Sequence, residues 1–237
     1  MNWNQKEMVD PERITMEAFP LTPVLVTTLY DDGRVNIATI SYVGVLSEGG
    51  KQLIGLAIRP TRFTHERIKA TRNFGINVPS ADLWKVVNYC GSVCGRDVFK
   101  LQELQKFKDE KCRLTLQSSN RIKTPLIAEC PINLECKLLR VLELSKERAS
   151  HDYFIGEVVA MHREKGFRIE DYKGLVTANY DFREVGRRLG SASKVWQKEA
   201  RRKKRKNKTV NAWKYRVTKM LATHYNNALC HFTKIRS

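Results

Sequence analysis

The segment 59–80 has the sequence RPTRFTHERIKATRNFGINVPS and directly follows the apolar run from Leu53 to Ile58. Pro60 ends the predicted strand, because proline has no N–H group to donate to a neighbouring strand. Thr61 and Thr64 are both suitable N-cap residues for the helix that the next residues predict. The segment therefore predicts a strand, a tight turn and a helix in succession.

Basic side chains cluster where this helix is predicted to begin. Arg59, Arg62 and His65 lie close to the helix start, and Thr64 adds a hydroxyl group. A helix N-terminus also presents free N–H groups and the positive end of the helix dipole. Together these groups predict a seat for a phosphate or another anion. A capped helix with a solvated basic face explains the segment equally well, and His65 by itself is expected to be a surface residue.

The residues on either side of this segment predict a series of strands. Val24 to Tyr30 form the first, and Arg34 to Tyr42 form the returning strand of a hairpin whose turn contains Asp-Gly. Gln52 to Ile58 predict a third strand, and Asn73 to Val78 predict a fourth after the helix. Strands that follow one another this directly are typical of an antiparallel sheet.

The second half of the region mixes helices with two longer strands. Ser80 caps a helix that we expect to end near Asn88, because the glycine-punctuated run that follows is typical of a loop. A polar helix is predicted from Val98 to Lys108. The strand from Ile127 to Leu144 loses its alternation at Leu138 and Leu139, which predicts a β-bulge, and 151–162 predict a strand that is buried on both faces.

Residues 20–162 thus predict about six strands with short helices between them. This order favours an antiparallel barrel with appended helices over a doubly wound parallel sheet. No G-x-G-x-x-G sequence follows a strand, so a Rossmann dinucleotide site is not supported.

Composition and length are those of one sizeable globular domain, or one domain with an appendage. The chain has 237 residues, of which 42% are hydrophobic and 29% are charged. No apolar run approaches the roughly 18–20 residues that a membrane span needs. The first residues contain no apolar signal-peptide core, and we therefore expect a cytoplasmic protein with no membrane partner.

The net charge of +18 is distributed very unevenly. Residues 191–237 contain 14 lysines and arginines and a single acid, Glu199, so this segment carries +13 of the total. We expect 191–237 to be a basic C-terminal extension to a domain that occupies 1–190. Binding to nucleic acid is a hypothesis that rests on this extension alone, and a solvated basic tail is the favoured alternative.

The six cysteines do not form a zinc or C-x-x-C pattern. They are Cys90, Cys94, Cys112, Cys130, Cys136 and Cys230. Because no metal-ligand spacing is present, no metal site is predicted. Cys90 and Cys94 invite the hypothesis of a redox pair, but reduced thiols in a loop are favoured because the spacing lacks the usual geometry.

Six short motifs follow one another in a fixed order along residues 15–190. They are NIATIS (36–41), RFT (62–64), NFGINVPS (73–80), YCG through GRD (89–97), ECPINLEC (129–136) and HDYFIGEV (151–158). In combination they resemble the flavin reductase-like, FMN-binding split-barrel family, and within it the flavoredoxin-type branch.

The resemblance implies a mainly β fold, a Greek-key split β-barrel with appended helices. It implies a homodimer that binds two FMN molecules near the subunit interface. The implied activity is that of an FMN-dependent oxidoreductase, which transfers a hydride or electrons from NAD(P)H or a redox protein to flavin or a further acceptor. An FMN-binding protein without turnover is the alternative within the same family.

The resemblance also assigns residues to the cofactor. One strand would lie along the flavin ring, a turn and a later lysine would hold the phosphate, and a histidine and an aromatic residue would lie near the ring. The matching positions are Asn36, Ala38, Thr39, Ser41, Tyr42, Arg62, Thr64, Lys100, His151 and Tyr180. The flavin would carry the chemistry, so no catalytic residue is assigned. His151 is a candidate for tuning the flavin, and a histidine at the barrel rim with a hydrogen bond to solvent explains this position equally well.

One motif departs from the family pattern. The family loop usually reads Ser-Gly-Arg-Asp-x-Asp-Lys-Phe, whereas this chain has CGRDVFKL at 94–101. Cys94 replaces a hydroxyl group and Phe99 replaces an acid, while Lys100 is retained. Both replacements therefore bear on how this loop fits the cofactor.

Overall fold

The structure, a computed structural model, describes residues 19–47, 49–147, 149–178 and 181–185. Within these residues the strands are β1 Val24–Leu29, β2 Val35–Ile40, β3 Val43–Val45, β4 Leu53–Ile58, β5 Asn73–Val78, β6 Leu116–Gln117, β7 Leu126–Ile127, β8 Ile132–Leu142, β9 Asp152–Arg163, β10 Leu175–Ala178 and β11 Asp181–Glu184. The α-helices are α1 Phe63–Thr71, α2 Trp84–Ser92 and α3 Lys100–Leu104. Short 3₁₀ turns occupy Ala81–Leu83, Glu110–Cys112 and Leu144–Glu147.

Seven antiparallel strands form the main sheet, in the order β2-β1-β5-β8-β9-β4-β3. Its two outer strands, β2 and β3, are consecutive in the chain, and only Ser41 and Tyr42 separate them. Three peptide units span at most about 11 Å. The edges of a flat sheet of seven strands would lie about 29 Å apart at ~4.8 Å per strand. The sheet must therefore curl until its two edges meet.

The long hairpin of β8 and β9 contains the predicted irregularity. Leu138 pairs with Gly156 and Arg140 pairs with Ile155, so Leu139 has no partner in the ladder. The prediction of a β-bulge at this position is confirmed. A second irregularity leaves Val159 of β9 unpaired. Bulges increase local twist, which favours the curvature that a closed sheet requires.

Both faces of the sheet are covered by apolar side chains. Val24 and Val26 of β1 belong to the cluster that includes Leu56 and Phe74, whereas Leu25 belongs to a second cluster that contains the buried residues of α2. Successive residues of a strand point to opposite faces, so β1 contributes to both clusters. This explains why β1 is almost continuously apolar rather than alternating.

Two predicted helices have different limits in the structure. Helix α2 continues to Ser92 instead of ending near Asn88, and the polar helix is reduced to Lys100–Leu104. Gly91 lies inside α2 and does not end the helix. A Cβ atom at this position would lie only 3.3 Å from the Cβ of Thr39. The glycine lets the helix approach β2 closely, so its role is in packing rather than in a turn.

The expectation of two buried faces for β9 was wrong. Phe154 is fully buried and Gly156 is buried, whereas Ile155 is only partly buried and Met161 is 60% exposed. The predicted threonine caps of α1 were also wrong. The N-cap residue is Arg62, and no side chain caps the helix. The hydroxyl of Thr64 has a different partner, which is described below.

In the part of the chain that the structure describes, no helix combines the length and the apolar character that a membrane crossing needs. The predicted boundary between a domain at 1–190 and an extension at 191–237 lies outside the described residues.

A buried carboxylate attaches the loop after β6 to the sheet. Glu135 is fully buried and accepts hydrogen bonds from the backbone N–H groups of Asn120, Arg121 and Ile122, at 2.6–3.1 Å. Its carboxylate also contacts Nε2 of His162 at 2.6 Å. Burial raises the pKa of Glu135, but the hydrogen bonds from the backbone and His162 outweigh it, and the pKa lies below its usual value of 4.5.

We expect the Glu135→Gln variant to lose about 1–3 kcal/mol of unfolding free energy at pH 7, because an amide NH₂ would face backbone donors. The lowered pKa means that the carboxylate contributes stability above pH 4.5, and that this contribution disappears as the pH falls through the folded-state pKa. The difference between wild type and variant should therefore shrink on acidification. Urea unfolding at pH 7 and at pH about 3.5 measures it.

The control is Glu129→Gln, because Glu129 accepts a hydrogen bond from the Thr115 N–H group at an exposed position. This change should alter the unfolding free energy by less than about 0.5 kcal/mol. A loss for Glu135→Gln that is equally large at both pH values would contradict the assignment.

Candidate functional site

A cavity of about 440 Å³ lies beside the two-residue link that joins the sheet edges. It is within the usual range of about 300–1,000 Å³ for small-molecule sites. Its lining residues come from β2 and the link, the end of β4, the start of α1, α2 with the following loop, and the residues before β9. They are Leu21, Ala38, Thr39, Ile40, Ser41, Tyr42, Ala57, Ile58, Arg59, Arg62, Phe63, Thr64, Asn88, Cys90, Gly91, Val93, Cys94, Gly95, Lys100, His151, Thr177 and Phe182.

Eight of the ten residues assigned to the cofactor from the sequence line this one cavity. They are Ala38, Thr39, Ser41, Tyr42, Arg62, Thr64, Lys100 and His151. Asn36 is buried behind the lining, and Tyr180 lies outside the described residues. The fold therefore brings together positions that are up to 113 residues apart in the chain.

The lining of the cavity carries an excess of positive charge. Three of its lining residues, Arg59, Arg62 and Lys100, are basic, and none is an aspartate or a glutamate. Among the described residues, neither arginine forms an ion pair with a carboxylate. Such an excess of positive charge favours an anionic ligand.

Lys100 is the most unusual of the three basic residues. It is only 3% exposed, and its Nζ donates a hydrogen bond to the carbonyl oxygen of Cys90 at 2.8 Å. No carboxylate of the described residues contacts this ammonium group. Burial lowers the pKa of Lys100, and the positive charge of Arg62 lowers it further. A buried ammonium group with one neutral partner is costly unless an anion accompanies it.

A buried amide positions the hydroxyl of Thr64. Asn36 Nδ2 donates hydrogen bonds to Oγ1 of Thr28 and of Thr64, both at 3.0 Å. Asn36 Oδ1 is buried and has no hydrogen-bond partner among the described residues. A Cβ atom at Gly95 would lie 2.2 Å from this oxygen, so the loop can approach only because position 95 is glycine. Asn36 thus supports the wall of the cavity from behind.

The hydroxyl of Thr39 is already engaged by the fold. Thr39 Oγ1 donates a hydrogen bond to the carbonyl oxygen of Val87 at 2.5 Å and so connects β2 to α2. The remaining groups that this part of the wall offers to a ligand are the backbone of β2 and the side chains of Ser41 and Tyr42.

His151 lies beside Tyr42 at another part of the lining. Their rings meet edge to face, with centroids 5.2 Å apart, and His151 Nδ1 contacts the hydroxyl of Ser150 at 2.7 Å. Partial burial lowers the pKa of His151, and the positive charges of Arg59 and Arg62 lower it further. Both effects favour the neutral form of the imidazole.

His65 was expected at the surface, and this expectation was wrong. The side chain is buried, and Nε2 lies 2.9 Å from Oδ2 of Asp152. Hydrophilic residues in the first turn of a helix are usually solvated, so no local pattern indicated this partner. The two residues are 87 positions apart and meet only because α1 packs near the start of β9.

An aromatic cluster holds the loop at 93–99 against the first hairpin. The ring of Tyr30 lies 4.8 Å from that of Phe63 and 5.3 Å from that of Phe99. The guanidinium carbon of Arg34 lies 3.3 Å from the centroid of Phe99, and Tyr30 donates a hydrogen bond to the carbonyl oxygen of Gly95. The replacement of the family's acid by Phe99 is thus accompanied by an arginine that stacks on the new ring.

Both cysteines of the loop region line the cavity, and neither forms a disulfide. Burial raises the pKa of Cys90 to about 12, so this thiol is protonated at neutral pH and a poor nucleophile. Cys90 lies on α2 and not in the predicted loop, whereas Cys94 lies in the loop that follows.

Sequence reasoning missed several lining residues. Asn88 and Gly91 were placed in a loop instead of on α2, and Thr177 and Phe182 belong to the β10–β11 hairpin, which was not predicted as strands. Arg59 was part of the predicted anion seat but was not assigned to the cofactor. The short run Leu175-Val176-Thr177, with two β-branched residues, was the available signal for β10.

Comparisons with known proteins agree with this architecture. The model of the flavin reductase like domain family matches residues 16–186. An uncharacterized protein of Archaeoglobus fulgidus is 33% identical over 164 residues, which are 69% of this chain and 82% of that protein. The chain therefore belongs to the flavin reductase-like domain family.

Solved structures support the fold. Flavoredoxin of Desulfovibrio vulgaris aligns with a TM-score of 0.64 at 23% identity, covering 78% of this chain and 97% of that one. An FMN-binding protein of Thermus thermophilus with bound 1-cyclohex-2-enone aligns with a TM-score of 0.64 at 22% identity, covering 79% and 98%. The predicted fold class is confirmed, a mainly β Greek-key split barrel with appended helices.

We expect inorganic phosphate to stabilise the wild-type protein against unfolding, and the Lys100→Met variant much less, because Lys100 is the buried cation of the cavity. At about 100 times its dissociation constant, a ligand that binds only the folded state adds about 2.7 kcal/mol. Thermal unfolding in increasing phosphate, at constant ionic strength, measures the difference.

The matched control is Lys106→Met, because Lys106 is exposed and pairs with Glu103 outside the cavity. This variant should respond to phosphate as the wild type does. Equal stabilisation of the wild type and Lys100→Met would contradict a phosphate seat at Lys100.

Proposed function

We propose that this protein is an FMN-dependent oxidoreductase of the flavin reductase-like family. It would transfer a hydride or electrons between NAD(P)H or a redox protein and flavin or a downstream acceptor. The observation that carries the proposal is the cavity beside the sheet edges. As far as the described residues show, its lining contains three basic residues and no carboxylate, and no carboxylate contacts the buried ammonium group of Lys100.

The residues present fit the phosphate of FMN. A phosphate monoester carries nearly two negative charges at neutral pH and accepts several hydrogen bonds. Arg62, Lys100 and the N-terminus of α1 offer complementary charge, and Thr64 offers a hydroxyl group whose other side is held by Asn36. The buried charge of Lys100 is the strongest reason to expect a permanently anionic group here.

The backbone of β2 and the link would hold the flavin ring. Ala38 and Ser41 leave this wall free of bulky side chains, and Tyr42 offers an aromatic face. FMN, when bound, supplies the redox chemistry, since its ring system accepts a hydride or single electrons. The chain's own residues bind the cofactor, orient it and limit its contact with water.

The lowered pKa of His151 limits how this residue would affect a bound flavin. At pH 7 the imidazole provides a hydrogen-bond donor or acceptor, and no fixed positive charge, because Arg59 and Arg62 already lie near it. Tuning of the flavin by charge would therefore come from the arginines, and tuning by hydrogen bonding from His151.

Three further properties belong to the proposal. The protein would be cytoplasmic and would form a homodimer, as the family resemblance implies. Tyr180 would contribute an aromatic residue near the flavin. Nucleic-acid binding through 191–237 rests on the +13 charge of that segment alone, and it is not needed for the oxidoreductase function.

An absorbance spectrum of the purified protein tests the function directly. We expect flavin absorbance bands, either as purified or after addition of FMN, and bleaching of these bands on anaerobic addition of NADH or NADPH. Titration with FMN, FAD and riboflavin separates the cofactors, and riboflavin should bind at least about tenfold more weakly than FMN because it lacks the phosphate. A protein that binds none of the three would contradict the proposal. Bound FMN that neither nucleotide reduces would favour a redox-protein donor or the alternative without turnover.

We expect Thr64→Val to weaken FMN binding about tenfold, because the change keeps the shape and removes a hydroxyl group that faces the cavity. It also removes one of two acceptors of the buried Asn36 amide, so some stability should be lost. Isothermal titration or fluorescence quenching gives the dissociation constant.

Thr28→Val is the matched control, since it removes the other acceptor of the same amide at a position that does not line the cavity. We expect a similar loss of stability with little change in FMN affinity. If both variants weaken FMN binding equally, the effect comes from Asn36 and not from a contact between Thr64 and the cofactor.

A further inference from the structure

The described residues include two pairs of a histidine and a buried carboxylate. His65 contacts Asp152 at 2.9 Å, and His162 contacts Glu135 at 2.6 Å. The side chains of the first pair are 10% and 4% exposed, and those of the second are 35% and 0% exposed. The two pairs are chemically alike but lie in different parts of the fold, so they can be compared directly.

The first pair connects two elements that line the cavity. His65 directly follows Thr64 at the start of α1, and Asp152 directly follows His151 at the start of β9. Thr64 and His151 both line the cavity, whereas His65 and Asp152 do not. The second pair connects β8 and β9 where no residue of the cavity lining is adjacent.

No other side-chain hydrogen bond joins α1 to β9 in the described part of the chain. The side-chain hydrogen bonds of Arg67 and Thr64 lead to the first hairpin, and that of Lys69 leads to Glu143. The backbone pairing of Ile58 with Asp152 aligns the end of β4, which leads into α1, with the start of β9. The His65–Asp152 pair adds a direct side-chain contact between the first turn of α1 and the start of β9.

The surroundings of this pair make its geometry specific. The ring of His65 meets the buried ring of Phe154 edge to face, with centroids 4.9 Å apart. Asp152 Oδ1 accepts a hydrogen bond from the backbone N–H of Ser145 at 2.9 Å, which leaves Oδ2 for the histidine. A hydrogen bond between buried groups is stronger than one in water and tolerates little displacement.

We infer that the His65–Asp152 pair is a positioning device for the cofactor site, which holds the phosphate-binding start of α1 at a fixed distance from His151. This inference rests on the proposed function. Neither residue lines the cavity, so both would act as positioning residues. Displacement of a binding group by about 1 Å can reduce activity about 100-fold, so an effect on binding is expected even where the fold survives.

The test compares a disrupting and a conservative variant of each histidine. His65→Phe keeps an aromatic ring against Phe154 but cannot donate to Asp152, whereas His65→Gln can still donate through its amide. We expect the first to weaken FMN binding at least about tenfold and the second to stay within about threefold of the wild type. His162→Phe and His162→Gln serve as controls, and both should bind FMN within about threefold of the wild type.

A second variant keeps the test conclusive if His65→Phe does not fold. Asp152→Val breaks the same contact without leaving an unpaired buried carboxylate, which would be costly. We expect the same loss of FMN affinity, about tenfold or more. Wild-type affinity in either disrupted variant, measured well below its unfolding temperature, would overturn the inference. So would an equal loss in His162→Phe, because the effect would then reflect stability in general.

A readout without flavin separates this inference from the proposed function. In the flavin-free protein, His65→Phe should accelerate amide hydrogen exchange in peptides that cover 59–67 and 149–156, and His162→Phe should change neither. If the wild-type protein binds no flavin and exchange is still faster in these peptides of His65→Phe, the positioning role of the pair is supported and only the proposed cofactor is rejected. Unchanged exchange in His65→Phe would overturn the inference.

Discussion

The short link between β2 and β3 is the constraint on which the rest of the structure depends. Ser41 and Tyr42 must bridge the two edges of a seven-stranded sheet, and only a curled sheet brings those edges within reach. Since the link itself cannot fill the space beside it, the curl leaves a cavity there, and the end of β4, α1 and α2 surround it. The same constraint therefore produces both the barrel and the site.

Charge is distributed so that the cavity stays positive. The cavity lining contains Arg59, Arg62 and Lys100, while the buried carboxylates Glu135 and Asp152 lie outside the lining and have histidine and backbone donors of their own. A buried, unpaired ammonium group lowers the stability of the free protein, and an anionic ligand would restore it. This pattern is typical of binding sites, where function is favoured at the expense of local stability.

Local patterns predicted the elements more reliably than their limits. The Asp-Gly hairpin, the succession of strands along the chain and the bulge at Leu139 could be predicted, because alternation and turn chemistry are properties of neighbouring residues. The end of α2 was predicted wrongly since Gly91, which looks like a break, serves close packing against Thr39. The prediction of threonine caps was wrong for a similar reason, because the hydroxyl of Thr64 accepts a hydrogen bond from Asn36 on β2.

The sequence by itself determined the antiparallel barrel, the basic start of α1 and eight of the residues that line the cavity, because motifs in a fixed order carry that information. Only the tertiary structure decided that Asn36 lies behind the wall, that His65 is buried against Asp152, and that His151 is neutral beside two arginines. Burial, partner choice and pKa depend on atoms that are distant in the chain. No local pattern encodes them until the sheet has closed.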